Sequence, residues 1–240
     1  MKIFKGFEVS RNYNNSIILI GNFDGVHLGH QKLFKKAREF KKKYKSKIGV
    51  ITFNPMPKMF FNKNLKHFRL MNLSQKIEEF KKQKVDFLIN QNFSKRFSKI
   101  KANIFIKKYL NKKIKTRFLF VSNNFRFGNK REGNVKQLIK YETLCKYKIV
   151  KPKPLLRNKK VISSSLIRIL IQNGKIKQVN SFLNREWSIE GKVIRGRQLG
   201  KKIGFPTANI DIKDYILAKP GVYAVKVKKE NTTKFIKGIA

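Results

Sequence analysis

Cysteine is nearly absent: Cys145 is the only one in 240 residues. An internal disulfide framework is therefore excluded, and the usage fits a reducing cytoplasm. Histidine is almost as scarce, with His27, His30 and His67 as the whole set. A zinc site is poorly supported, because Cys145 stands alone and His67 is remote from the other two. Long hydrophobic runs are missing too. The apolar run near the N-terminus, Ile17 to Ile20, is too short for a signal-peptide core or a membrane span. We therefore expect a soluble, cytoplasmic protein with no membrane partner. There is no Walker A loop either: Gly196 to Lys201 has the wrong spacing, and Lys202 follows it.

Acidic residues are few: 13 against 58 basic ones, a formal net charge of +45. A charge of that size suggests nucleic-acid binding. The lysines, however, are dispersed over nearly every predicted helix and turn, and no RNA-recognition, zinc-finger or helix-turn-helix signature accompanies them. The abundance of Lys, Asn, Ile and Phe matches what an A/T-rich coding sequence produces. We expect no specific nucleic-acid partner, only salt-sensitive adhesion to RNA or anionic surfaces. A hydrophobic fraction of 41% is enough for a sizeable core, in one large domain or two small ones.

Two of the three histidines stand in one decapeptide, Gly21-Asn22-Phe23-Asp24-Gly25-Val26-His27-Leu28-Gly29-His30. Ser16 to Ile20 before it reads as a buried strand. Gln31 to Tyr44 after it carries apolar residues at 33, 34, 37, 40 and 44, the spacing of an amphipathic helix. Both imidazoles thus fall at a strand-to-helix junction, where backbone N–H groups and the helix dipole favour an anion. Glycines on both sides allow a ligand close to the backbone. That combination suits a polyphosphate.

From 16 to 151 apolar runs alternate with amphipathic segments. The predicted strands are 16–22, 48–53, 85–90, 117–122 and 147–151, and the predicted helices 30–45, 74–83, 98–110 and 134–146. Such alternation argues for a parallel, helix-covered sheet with the 21–30 loop at its carboxyl edge. Ser163 opens a further helix to about Asn173, and a short one follows near 175–183. From Trp187 onward the segments are short, β-like and separated by Gly-rich turns, the start of an all-β module with its boundary at about 184–187.

Four further motifs bear chemistry. Thr52-Phe53-Asn54-Pro55-Met56-Pro57 reads as a rigid loop after the second strand, or as ordinary loop punctuation. In Val121-Ser122-Asn123-Asn124-Phe125-Arg126-Phe127-Gly128, two aromatics flank an arginine; they either stack on an aromatic ligand or pack in the core. Ser163-Ser164-Ser165 with Arg168 one turn on makes a phosphate site of hydroxyls, N–H groups and a guanidinium, where a plain N-cap would need one serine. Gly191 to Gly196 and Gly204-Phe205-Pro206-Thr207-Ala208-Asn209 offer oxygen-bearing side chains in a Gly-rich setting, suited to Mg²⁺ and nucleotide phosphates.

In this order, over about residues 14 to 240, the motifs resemble the bacterial bifunctional riboflavin kinase/FMN adenylyltransferase family, the FAD synthetases. The resemblance implies an α/β protein: a Rossmann-like nucleotidyltransferase domain over 1–184, followed over 187–240 by an incomplete small β-barrel, a riboflavin kinase-like module. It implies transfer of AMP from ATP to FMN, with release of pyrophosphate, to make FAD. His27, His30 and Arg168 would be catalytic. Gly21, Asn22, Phe23, Asp24, Gly29, Ser163 and Ser164 would bind ATP. Pro55, Asn124, Phe125 and Arg126 match the family's flavin-side loops. Thr207 and Asn209 would hold Mg²⁺-ATP in the kinase module, which takes riboflavin.

The chain departs from the family pattern in two side chains. Met56 stands where the family usually has histidine, and Asn124 where it usually has aspartate. The sequence stops at Ala240, in what looks like the middle of the kinase module, so we expect 187–240 to be poorly folded, completed by another polypeptide, or cut short by a fragmentary record, and kinase activity to be lacking. Two other functions remain open: a decayed protein that only binds flavin or nucleotide, and a sister nucleotidyltransferase with another phosphorylated acceptor. Oligomeric state is not legible.

Overall fold

The computed structural model describes residues 1–157, 159–196, 204, 207–212 and 214–240. Gly200, Phe205 and Pro206, which the sequence places in the Gly-rich stretch after 190, lie outside the described residues. The frame is a six-stranded sheet in the order β1-β4-β3-β2-β5-β8, every pair parallel. Its strands are β1 (Lys2–Phe4), β2 (Ile17–Ile20), β3 (Ile48–Asn54), β4 (Phe87–Asn92), β5 (Phe118–Phe120) and β8 (Lys148–Val150). The order reverses between β2 and β5. From β2 the chain winds outward through β3 and β4, then returns to the other side of β2. The crevice at the carboxyl ends of such a reversing pair is where open α/β sheets take ligands.

Burial on both faces explains why the central strands β2 and β5 are continuously apolar. In β2, Ile18 and Ile20 enter the core on one side of the sheet, and Ile17 and Leu19 the core on the other. The second of these cores packs α1 (Leu28–Tyr44) and α3 (Leu73–Lys82) through Phe34, Ala37 and Phe80. The first packs α5 (Ala102–Ile104), which runs on as a π-helical stretch Phe105–Lys113, together with α6 (Val135–Lys140). Smaller helices are α2 (Pro57–Phe61), α4 (Lys95–Ser98) and α7 (Glu142–Cys145). The hairpins β6–β7 (Arg126–Phe127, Gly133–Asn134) and β9–β10 (Leu156–Arg157, Lys160–Val161) complete this part.

A third apolar cluster joins α8 (Ser164–Gln172) and α9 (Ile176–Leu183) to Leu70 and to Ile216 from the C-terminal part. Beyond α9, β11 (Val193–Ile194) pairs antiparallel with β12 (Asn209–Ile210), and β13 (Ala224–Val227) with β14 (Ile236–Ile239). The β-like reading after Trp187 thus agrees with the structure.

Three readings of the sequence are corrected. The helix predicted at 98–110 is interrupted after Ser98 and resumes at Ala102, whose N–H is capped by the Glu132 carboxylate at 2.6 Å. The helix predicted at 134–146 divides at Tyr141, next to which the Tyr147 hydroxyl donates to the Leu138 carbonyl at 2.7 Å. The segment read as a rigid two-proline loop is a cis Asn54–Pro55 bond followed by α2, with Pro57 in its first turn. Proline suits that place, since its missing N–H has no helical partner there.

Candidate active site at the sheet reversal

The loop from Gly21 to His27 leaves β2 at the reversal and turns sharply. Phe23, Gly25 and Val26 all hold positive φ angles, 47°, 85° and 38°. A β-branched valine in that region is strained, and burial compensates: Phe23 is 2% exposed and Val26 fully buried. Gly25 suits its place, because its φ strains any side chain and a Cβ there would lie 2.8 Å from Leu70 Cδ1, which would have to shift. The turn delivers His27 to the N-cap of α1, and no side chain caps that helix.

The two imidazoles stack with centroids 3.7 Å apart, and Phe23 packs edge-on to His30. Each Nδ1 is buried without a hydrogen-bond partner. Burial, then Arg185 and Arg168, lower the His27 pKa to about 4. Burial, then His27 and Lys76, push His30 well below its ordinary value. Both rings are therefore neutral at pH 7, each with one N–H to give and one lone pair to offer.

Ile162 to Ser164 close the other wall. A Cβ on Gly29 would stand 3.1 Å from the His27 ring and 3.2 Å from the Ile162 carbonyl oxygen, so a side chain there would press on both and glycine lets α1 start close against this segment. Ser163 caps α8 by accepting the Leu166 N–H at 3.2 Å, and the Ser164 hydroxyl donates to the Asp24 carbonyl at 2.7 Å. The buried Asp24 carboxylate pairs with Arg168 and accepts the Leu70 N–H. Arg168 also donates through Nε to the Phe68 carbonyl at 2.7 Å and lies 3.7 Å over the Phe68 ring. Asp24 thus faces the arginine, not open space, while Gly21 is half-buried and Asn22 exposed beside it.

The loop after β5 opens a cavity of about 490 Å³ lined by Asn123, Asn124, Phe125, Arg126, Arg131 and Lys136. Phe127 is core and stacks on Phe125 at 5.5 Å, so of the two aromatics only Phe125 reaches the cavity. Pro55 is half-buried and Met56 is buried at the start of α2. Thr207 and Asn209 are exposed, and Asn209 lies in β12, outside this cluster. Among the described residues no group of three or more His, Cys, Asp or Glu side chains could hold a metal.

Sequence reasoning missed Arg185, Lys76 and Phe68. Arg185 donates to the Gly25 carbonyl at 2.7 Å, one basic residue among 58 with nothing to single it out. Lys76 is 4% exposed, its pKa lowered to about 8 by burial against the pull of Asp24. A signal for it existed: it stands four residues before the buried Phe80, on the same helix face.

A parallel sheet of this order, with a strained, anion-ready loop at its reversal, defines a Rossmann-like nucleotidyltransferase. The FAD synthetase family model matches residues 9–166, and the riboflavin kinase model matches residues 183–240. The chain belongs to the bifunctional riboflavin kinase/FMN adenylyltransferase family. Relatives of that name include one from Buchnera aphidicola subsp. Acyrthosiphon pisum, 38% identical over 95% of this chain and 73% of its own. Another, from Escherichia coli K12, is 33% identical with the same two shares. A solved structure described as a macrolide-efflux protein from Streptococcus pneumoniae superposes with a TM-score of 0.83 at 26% identity, covering 99% of this chain and 77% of that one. Among the described residues no helix is long and apolar enough to cross a membrane.

Proposed function

We propose that the chain makes FAD by transferring AMP from ATP to the phosphate of FMN. An FMN phosphate oxygen attacks the α-phosphorus, the bond from that phosphorus to the bridging oxygen breaks, and pyrophosphate leaves. The observation that carries this reading is the stacked His27–His30 pair, with two buried, unpartnered Nδ1 atoms at the start of α1. An orphaned buried polar atom is costly unless a ligand completes it, and a triphosphate brings the oxygens to do so. The imidazoles act as fixed dipoles that meet charge building on the transferring group, not as nucleophiles.

Arg168 is assigned to the departing pyrophosphate. Asp24, Ser163 and Ser164 serve it chiefly by position, since their hydrogen bonds fix the guanidinium and the start of α8. Gly21, Asn22, Phe23 and Gly29 shape the nucleotide pocket. Pro55, Asn124, Phe125 and Arg126 take the flavin side, where Arg126, Arg131 and Lys136 line the cavity with positive charge that suits the FMN phosphate. Mg²⁺ supplies charge neutralisation between phosphates. With no carboxylate cluster among the described residues to cage it, its ligands would be substrate oxygens and water. We divide the chain at about 184–187. In the second part, which matches the riboflavin kinase model, Thr207 and Asn209 are the Mg²⁺-ATP candidates. A cytoplasmic enzyme with no specific nucleic-acid partner completes the proposal.

The test is direct: incubate the purified chain with Mg²⁺-ATP and FMN and follow FAD and pyrophosphate. Equal amounts of both are expected. Flavin binding without either product would overturn the reading.

A further inference from the structure

Residues 68–70 make contacts in two directions. Toward the candidate active site, the Phe68 carbonyl and ring hold Arg168, and the Leu70 N–H holds Asp24. Away from it, the same backbone pairs with residues 214–216, which belong to the part matching riboflavin kinase. The Asp214 carbonyl accepts both the Phe68 and Arg69 N–H groups, at 2.9 and 2.7 Å, and the Ile216 N–H donates to the Arg69 carbonyl at 2.8 Å. Tyr215 is 4% exposed, and its hydroxyl donates to Gln75 Oε1 at 2.7 Å. Gln75 forms the capping box with Asn72 that starts α3, the helix carrying Lys76. Ile216 packs in the apolar cluster that contains Ile167 and Ile171 of α8, on either side of Arg168 in sequence.

We infer that Tyr215, with Asp214 and Ile216, is a positioning segment for adenylyl transfer: the second part of the chain fixes Arg168 and Asp24 of the first through residues 68–70. This rests on the adenylyl-transfer reading above. None of the three touches the histidine pair or the phosphate site as described, so the segment acts only through what it holds. A displaced guanidinium meets the leaving group badly, and small errors of placement are expensive in rate.

The experiment is a double-mutant cycle in the full chain, combining Tyr215→Ala with Arg168→Ala. Alone, Tyr215→Ala should lower the turnover of FAD formation about ten-fold and leave KM for FMN unchanged. In the Arg168→Ala background it should cost less than about two-fold, because the residue it positions is gone. An equal loss in both backgrounds overturns the inference. A second readout needs no activity. In ¹⁵N-arginine-labelled protein the Arg168 Nε–H, assigned by Arg168→Lys, should exchange slowly and become fast in Tyr215→Ala. Unchanged exchange also overturns it. Tyr215→Phe keeps the buried ring and should show the same directions more weakly. If Arg168→Ala makes FAD at the wild-type rate, it is the phosphate role of Arg168 that fails, and the Nε–H exchange alone decides the positioning role.

Discussion

His27 and His30 are legible in sequence as chemistry because they are rare; their neutrality is not, because it comes from what packs around them. Replacing His30 by alanine should cut FAD turnover by roughly two to three orders of magnitude, the loss typical of one transition-state donor. Circular dichroism melting should change little, since relief of the unpartnered Nδ1 offsets the packing lost against His27 and Phe23. An unchanged rate would remove His30 from the mechanism. The pH dependence of stability follows from His27. Its folded pKa of about 4 lies below the ordinary 6.5, so between these values the unfolded chain binds more protons. Stability therefore rises with pH through that window and is lost as pH falls from 6.5 towards 4. Urea unfolding at pH 7.5 and pH 5 should differ by about 2 kcal/mol from this residue alone. His27→Gln should shrink the difference, and an equal pH slope in the variant would mean that other groups carry it.

Periodicity reveals elements whose burial is one-sided or continuous, and it located β2, β3, β4 and α1 to within a few residues. It failed where a side chain from elsewhere decides the backbone. Glu132 restarts the helix at Ala102, and no local pattern in 98–110 announces a cap thirty residues away. The edge strand β1 is three residues long, too short to show a period, and exists through its pairing with β4. Within the candidate site the same division holds. The 21–30 loop was evident from its glycines and histidines, whereas the Arg168–Phe68 stack and the Arg185–Gly25 contact join residues about 100 and 160 apart. The loop itself offers a test. Gly25→Ala puts a side chain at φ 85° and 2.8 Å from Leu70, and should destabilise the fold by about 1–2 kcal/mol or more. The rate of FAD formation should fall with it, because the displaced turn carries His27. A variant as stable and as fast as wild type would show that the turn relaxes without consequence.

At the scale of the whole molecule, the charge of +45 is the property least tied to the site. The strongest buried pairing in the site, Asp24 with Arg168, is internal, and most of the described lysines are exposed, on helices, strands and loops alike. A field of that size draws in any polyanion, ATP and RNA alike, and it decays within about 8 Å at physiological salt. The KM for ATP should therefore rise with added KCl while kcat holds steady, because screening weakens encounter and leaves the short-range contacts of His27, His30 and Arg168 intact. RNA oligonucleotides of unrelated sequence should bind alike at low salt and release together as salt rises, the mark of counterion release without base readout. Steady-state kinetics in a KCl series, run beside fluorescence anisotropy with two RNAs of different sequence, measures both. Affinity for one RNA that survives high salt would replace the adhesion account with a specific partner. A kcat that falls with salt while KM stays fixed would mean that the surface charge supports the chemical step itself.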